Sequence, residues 1–419
     1  MCKYKNKYFL LKYMPTTHLI FKFCLDLRIF CVSLCLMNED KNIIVGFDAK
    51  RVVRNGTGLG AYGRNLVNDL AALYPNAQLL LYAPDAGRED LARQVKSAPN
   101  LRMVYPKNAK NALKKAAWRS GGMVKDLLRD GVQVFHGLSG ELPKGVKHAG
   151  IDAVVTIHDL IFMRHPEFYH WWDALIYRWK FHQTLKEANR IIAISQCTKR
   201  DIMKYGHYPE ERISVIYQSC DTRFRERATP EKLNEVCQRY ALPSRFVLNV
   251  GTIEARKNVL LAVKAMKNVD REVHLVVLGR PTPYTNKVKS WAAHNGLSAR
   301  VHFLHNVPNN DLPAIYQQAE VFAYPSRYEG FGIPIIEAIQ SALPVVACTG
   351  SCLEEAGGPH SLYVAPNDHK GMAQAINARL KGQAGRDESI SRSMEYVQRF
   401  ENKNVAQQVA QCLFENKQA

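Results

Sequence analysis

Several familiar signatures are missing from this chain, and each absence removes a class of function. The ten cysteines form no C-x-x-C and no Cys/His pattern with metal-ligand spacing, and four of them lie in the first 35 residues. That excludes zinc fingers and a disulfide framework and fits free thiols in a reducing compartment. No RNP-like string and no arginine-rich tract occurs, so nucleic acid is not the expected partner. The apolar stretch from His18 to Leu36 is broken by Lys22, Asp26 and Arg28. It makes a poor spanning helix, and it has no small-residue cleavage site. Acidic residues are scarce as well, with 38 Asp and Glu against 57 Lys and Arg and a formal net charge of +19. Such a surplus expects an anionic partner, either lipid headgroups or a phosphorylated substrate.

What is present is ordinary in amount and ordered in pattern. At 47% hydrophobic and 23% charged residues the composition is that of a globular protein, and 419 residues imply two domains. Met37 begins a natural approach to a first strand, Ile43–Asp48. Residues 1–36 are therefore read as an extension outside the fold, an over-called translation start, with a membrane-surface anchor as the alternative. Further apolar runs suggest strands at Leu79–Tyr82, Val132–His136, Ala153–Ile157 and from Ile191. A second series runs Phe246–Val250, His274–Gly279, Val301–His305, Val321–Tyr324, Pro344–Ala347 and Ser361–Val364, followed by two closing helices. Strands alternating with helices predict an α/β chain of two doubly wound parallel sheets, joined near 223–244.

Chemistry concentrates after Val321–Tyr324. A Gly-bearing loop precedes a helix that Pro334 opens, and a helix start offers unpaired N–H groups to a phosphate. Glu329 stands before that start and Glu337 in the first turns; a lone Glu at a helix start is more often a dipole-stabilising surface residue than a ligand. Gly251 and the pair Arg256-Lys257 follow another strand, where fixed cations can meet the charge of a leaving phosphate. In the first half, Gly58, Gly60 and Gly63 fit G-x-G-x-x-G, with Asp85 about twenty residues on. About nine residues separate them from the strand, so a flexible anion-binding loop before a helix at Arg64–Leu73 is preferred to a dinucleotide site. His158 sits at the carboxyl end of a strand, where ligands of open α/β sheets collect. Ser195 reads as a helix N-cap. Residues 107–125 read as a basic amphipathic helix, with Trp118 either a membrane anchor or packed inward. The aromatic cluster His170–Lys180 either lines a cleft or is core.

The string Glu329-Gly-Phe-Gly-Ile-Pro334 followed by Glu337, two Glu with seven residues between, closely resembles the acidic signature of the retaining transferases of glycosyltransferase family 4. Val154-Val-Thr-Ile-His158-Asp159 and Gly251 to Lys257 resemble other family segments. Thr252 departs from the Arg that many members carry after that Gly. The resemblance covers about residues 41–400. It implies the GT-B fold, two Rossmann-like domains facing across a cleft: an acceptor domain at 37–228, a donor domain at 229–395, and a C-terminal helix at 396–419 packing back on the first. Glu329 would then contact the donor sugar, Glu337 the ribose, and backbone N–H groups of Phe331 and Gly332 the sugar or diphosphate. Gly330, Gly251, Gly58 and Gly60 would complete the donor site. Lys257 and Arg256 would stabilise the leaving phosphate, and His158 would orient the sugar. Closure about the linker and last helix is expected. No D-x-D string occurs, which favours metal-free catalysis with no cofactor. The implied activity moves a hexose, mannose first, from GDP-mannose or a UDP-sugar to a lipid-linked or glycan acceptor in cell-surface polysaccharide synthesis. The enzyme would sit at the inner face of the cytoplasmic membrane, in contact with its anionic surface. The competing readings are a nucleotide-sugar epimerase of the same fold, an NAD-dependent oxidoreductase, a glycosidase and a non-catalytic sugar-nucleotide scaffold.

Overall fold

The computed structural model describes residues 43–414 apart from 108 and 110; the extension at 1–36 lies outside the described residues. Two parallel sheets form. The first comprises β1 (Ile44–Asp48), β2 (Gln78–Tyr82), β3 (Leu101–Val104), β4 (Val134–Gly137), β5 (Asp152–Ile157), β6 (Arg190–Ala193) and β7 (Ile213–Val215). The second comprises β8 (Phe246–Val250), β9 (His274–Leu278), β10 (Val301–Leu304), β11 (Val321–Tyr324), β12 (Val345–Cys348) and β13 (Leu362–Val364). Their orders are β3-β2-β1-β4-β5-β6-β7 and β10-β9-β8-β11-β12-β13. Central strands such as β11 and β12 are buried at every position, as sheets covered by helices on both faces require. In each sheet the order reverses beside the first strand, at β1/β4 and at β8/β11. There the loops leaving neighbouring strands part and open a crevice.

In the first half the helices that matter are α1 (Gly58–Leu73), α2 (Ala112–Ala117), α3 (Met123–Arg129), α4 (Trp171–Glu187) and α5 (Gln196–Gly206). In chain order α6 (Pro230–Tyr240) comes between the two sheets, and it packs with the second half. The second half contributes α7 (Val259–Ala265), α8 (Leu312–Gln318), α9 (Ile333–Gln340) and α10 (Leu353–Gly357), and the chain closes on α11 (His369–Asn377), α12 (Arg386–Val397) and α13 (Asn402–Phe414). Local rules account for the starts. Ser195 accepts from the Thr198 N–H before α5, Thr229 from the Lys232 N–H before α6, and Pro334 stands in the first turn of α9 after Gly332 at φ 122°.

The α/β expectation holds, with differences of detail. Helix α1 begins at Gly58, six residues early, so Gly58 and Gly60 belong to its first turn and not to a flexible loop. Gly60 is there for packing: a Cβ would lie 1.8 Å from the Asn55 carbonyl. Edge strands β3 and β7 went unpredicted because their exposed positions break the apolar run. The basic segment 107–125 is no single helix, since a π-helical turn at Trp118–Gly122 divides α2 from α3. Trp118 turns into the core and donates from Nε1 to Asp126, so it is not an outward anchor. Three helices, not two, close the chain. The expected last helix bends through a 3₁₀ turn at Gln398–Phe400, which buries Phe400 against Tyr217 and Phe331 for roughly 1.5–3 kcal/mol. Helix α13 then packs on α1, with Phe414 edge-on to Tyr74.

Gly279, after β9, lets the β8 loop pass: a Cβ there would sit 1.8 Å from the Gly251 carbonyl oxygen. Because that neighbour is backbone, Gly279→Ala is expected to cost about 2 kcal/mol. Denaturant melts should show a lowered midpoint with an unchanged slope; a wild-type midpoint would remove the packing role.

Candidate active site

The loops leaving β8 and β11 meet at the reversal point of the second sheet. Gly251 departs β8 at φ 148°, a conformation that favours glycine. Asn258 ends the loop in the left-handed region at φ 54°, and its buried amide donates to the carbonyls of Pro325 (3.0 Å) and Pro366 (2.9 Å). The Arg327 N–H donates to Arg256 O at 2.9 Å, and Arg256 Nη1 donates to Tyr328 O at 2.8 Å. The two loops are thereby zipped together.

Within that frame Glu329 stands between both cations. Its Oε1 is 2.6 Å from Lys257 Nζ and its Oε2 is 2.8 Å from Arg256 Nη1. Ser326 Oγ donates to Oε1 at 2.7 Å, and Lys257 Nζ donates to Tyr324 Oη at 2.8 Å. Burial opposes the charge on Glu329, but Lys257 and then Arg256 outweigh it and hold the carboxyl at about 2. Burial likewise opposes the Lys257 charge, and Glu329 reverses it, raising that ammonium above its ordinary value. The trio is a fixed array of net charge +1. Arg256 commits both terminal nitrogens to the loops, since Nη2 also bonds Glu254 at 2.8 Å.

Glu337 is poised differently. It lies in the second turn of α9 and accepts from Tyr316 Oη of α8 at 2.8 Å. Burial pushes its carboxyl up to about 7, against the Tyr316 hydrogen bond; Asp221 adds to the rise and Arg223 opposes it. A row of packed rings, Tyr316, Phe322 and Tyr324, joins this carboxyl to the Lys257 side of the site.

The first sheet supplies the facing wall. His158 follows β5 directly. Its Nε2 lies 2.8 Å from the Leu138 carbonyl and donates to it, while Nδ1 accepts from Gln218 Nε2 at 3.0 Å. Burial lowers its pKa to about 4, so the imidazole is neutral. Gly330 meets this wall: a Cβ on it would lie 2.0 Å from His158 O, and its own carbonyl accepts from Ser195 Oγ at 2.8 Å. Glu355 of α10 accepts from the Gln196 N–H (2.6 Å) and the Cys197 N–H (2.9 Å) at the start of α5, the place a helix best receives a carboxylate. Tyr328 bonds Asp201 and Cys197 beneath the Arg164 guanidinium. A cavity of about 210 Å³ opens beside His158 and Asp159. Phe162, Tyr169, Tyr177 and Phe181 wall it, with Glu141 and Lys180 at hand. The Asp159 carboxyl is raised by burial and feels Arg256, Glu329 and Lys257 across the seam.

Of the residues singled out in the sequence, Glu329, Lys257, Arg256, Gly330, Gly251 and His158 converge. Phe331 turns its ring into the core against Tyr217 and Phe400, so with Gly332 it offers the site only main chain. Gly58 and Gly60 reach the site through their helix, whose Leu59 lines the cavity and whose Tyr62 packs on His158 at 5.1 Å. Asp85, which a dinucleotide reading needs for a ribose, is paired with Arg54 and Lys115. Sequence reasoning gave no role to Ser326 and Asp159, near neighbours of Glu329 and His158 in the chain, and missed Tyr316, Gln218 and Glu355, whose positions only the tertiary fold creates. Ser195 has, beyond capping, a bond to the opposite half.

Two stability profiles follow. Removing Glu329 as Ala takes the carboxylate partner from buried Lys257 and leaves Arg256 with Glu254 alone, and is expected to destabilise by about 3 kcal/mol. The wild-type contribution of Glu329 should be lost as pH falls from about 4.5 to about 2. Glu337 has the opposite sign: its folded pKa is raised, so its contribution is full below about 4.5 and lost as pH rises to about 7. Glu337→Gln should therefore melt above wild type at pH 8 and lose that advantage by pH 4.5. Equal melting temperatures at pH 8 would show that the carboxyl is not strained.

Comparison with known proteins agrees with this geometry. The family model described as Glycosyltransferase Family 4 matches residues 56–224, and that described as Glycosyl transferases group 1 matches residues 238–396. O-antigen chain mannosyltransferase B of Escherichia coli is 30% identical over 281 residues, 66% of this chain and 72% of that protein. O-antigen chain mannosyltransferase RfbU of Salmonella typhimurium is 29% identical over 264 residues, 63% and 69% of the two chains. Among solved structures, Anabaena Alr3699/HepE in complex with UDP and glucose superposes with a TM-score of 0.67 at 19% identity, covering 90% of this chain and 100% of that one. WaaG, a glycosyltransferase involved in lipopolysaccharide biosynthesis, superposes with a TM-score of 0.66 at 16% identity, covering 89% and 100%. With both halves matched and the two-sheet architecture shared, the chain belongs to the family 4 glycosyltransferases of GT-B fold.

Proposed function

We propose that this glycosyltransferase moves a hexose, mannose first, from a nucleotide sugar to a lipid-linked saccharide, with retention and without a metal, in cell-surface polysaccharide synthesis. The observation that carries the reading is the buried Glu329–Lys257–Arg256 array set against neutral His158. Mannose as the sugar is supported by the two O-antigen mannosyltransferase relatives, and a nucleotide-diphosphate donor by the UDP complex of a fold neighbour. GDP-mannose is the first donor to test and a UDP-sugar the second.

In this mechanism the C1–O bond to the diphosphate breaks while the acceptor hydroxyl forms its bond to C1 on the same face. The acceptor proton passes to the departing phosphate oxygen, so no protein nucleophile is assigned. Lys257, pre-aimed and fully charged, meets the developing phosphate charge together with the Phe331 and Gly332 N–H groups at the start of α9. Glu329 serves twice, holding Lys257 in place and receiving sugar hydroxyls. Glu337 receives the ribose hydroxyls, and His158 orients the sugar from the facing sheet. The aromatic cavity beside His158 suits a saccharide acceptor, whose ring faces pack on Tyr and Phe while Glu141 and Lys180 take its hydroxyls. That cavity favours transfer over epimerisation, which needs no second substrate. The acceptor's lipid would place the enzyme at the inner face of the cytoplasmic membrane.

Lys257→Ala should lower kcat by roughly 10²-fold or more, measured on folded protein at a temperature below its lowered melting point; undiminished turnover would sink its role. Thermal shift and donor hydrolysis across GDP- and UDP-sugars and NAD, with and without EDTA, test the donor class and the metal. A response to one nucleotide-sugar class that survives EDTA is expected; a response to NAD alone would overturn the reading.

A further inference from the structure

Helix α4 breaks the rule that a surface helix buries one apolar stripe and shows polar residues elsewhere. Ala174, Phe181 and Thr184 face the protein, and Phe181 and Tyr177 wall the cavity beside His158. Yet Trp171, Trp172, Leu175, Ile176 and Trp179 remain 49–64% exposed. At the helical turn angle these five fall in an arc of about 140°, roughly opposite the buried side. Three of the chain's five tryptophans are therefore on one outward stripe, an enrichment typical of a bilayer interface.

Cations frame the stripe. Arg178 and Lys186 are exposed on the helix itself. Lys144 and Lys147 are exposed on a loop that Glu187 ties to the end of α4 through the Gly145 N–H (2.9 Å) and the Lys147 N–H (3.3 Å). The same loop bonds the π-helical turn, Lys144 N–H to Ser120 O at 2.8 Å, and so links the basic segment to the end of α4. No helix among the described residues is long and apolar enough to cross a membrane. A helix with an outward tryptophan-rich apolar stripe flanked by cations instead lies in the headgroup layer of an anionic bilayer.

We propose that the outward face of α4 seats this protein on an anionic bilayer. The inward face of the same helix then offers its cavity to the saccharide of an acceptor whose lipid stays in that bilayer. The last step rests on the acceptor reading above, whereas the bilayer contact rests on the helix alone. Full-length protein is to be sedimented with vesicles of phosphatidylethanolamine and phosphatidylglycerol, and with phosphatidylcholine vesicles. Wild type should bind the anionic vesicles with a blue-shifted tryptophan emission. Trp172→Ser/Trp179→Ser should partition roughly tenfold less or weaker still, with unchanged melting temperature and donor-induced thermal shift. Ile176→Glu, which keeps every tryptophan, should give the same loss. Partition of both variants equal to wild type would overturn the proposal by putting the anchor elsewhere. So would a wild type that ignores vesicles and forms an α4-dependent dimer in sedimentation velocity. Variant-sensitive vesicle binding in a protein without any donor response would support the bilayer face and sink the donor reading instead.

Discussion

A carboxylate shared between two cations decides how the catalytic half of this molecule is built. Glu329 leaves one strand of the second sheet and Lys257 and Arg256 leave its neighbour, so the ion pairs bind two loops that no sheet hydrogen bond reaches. In so buried a setting an unpaired charge costs several kcal/mol. The loops must therefore keep the register that lets all three groups meet. Asn258, Ser326 and the main-chain bonds around Arg327 serve that register. A cation held this way needs no reorganisation when charge develops nearby, and that preorganisation is what electrostatic catalysis requires.

The facing half reaches this array through small contacts instead of a broad apolar seam. Gly330 touches the carbonyl of His158, Ser195 bonds the carbonyl of Gly330, and Glu355 occupies the start of α5. Each of these three contacts involves main chain on at least one side, so it demands a position more than a particular side chain, and Tyr328 adds side-chain bonds to Asp201 and Cys197. His158 is likewise fixed by its two bonds, to Leu138 and Gln218, in one neutral tautomer.

Much of this was legible in the sequence, and what was not has physical reasons. The buried parallel strands announce themselves as unbroken apolar runs, Glu329 and Lys257 stand where strand-to-helix loops must fall, and Glu337 stands in the helix that Pro334 opens. Helix α6 was hidden by charge, although Thr229-Pro230 and the spacing of Leu233, Val236, Cys237 and Tyr240 carry its signal. The π-helical turn and the bend at Phe400 were out of reach, because distant packing imposes them on segments with helical propensity. Tyr316, Gln218 and Glu355 touch site residues 21, 60 and 159 positions away, beyond any local pattern. Helix α4 reads as apolar from either side, and only the fold tells which side is covered.

One feature of the topology bears on how the chain is made. Helix α13 lays Val405, Val409 and Leu413 inward, and the helix packs on α1, a part of the first half. Among the described residues it is this helix, made last, that covers that face of α1. At ~5–20 residues per second, synthesis leaves it open for some tens of seconds. The first half thus emerges with its central strands in hand and one helix face still bare, a natural station for a chaperone, and is completed by the last helix described.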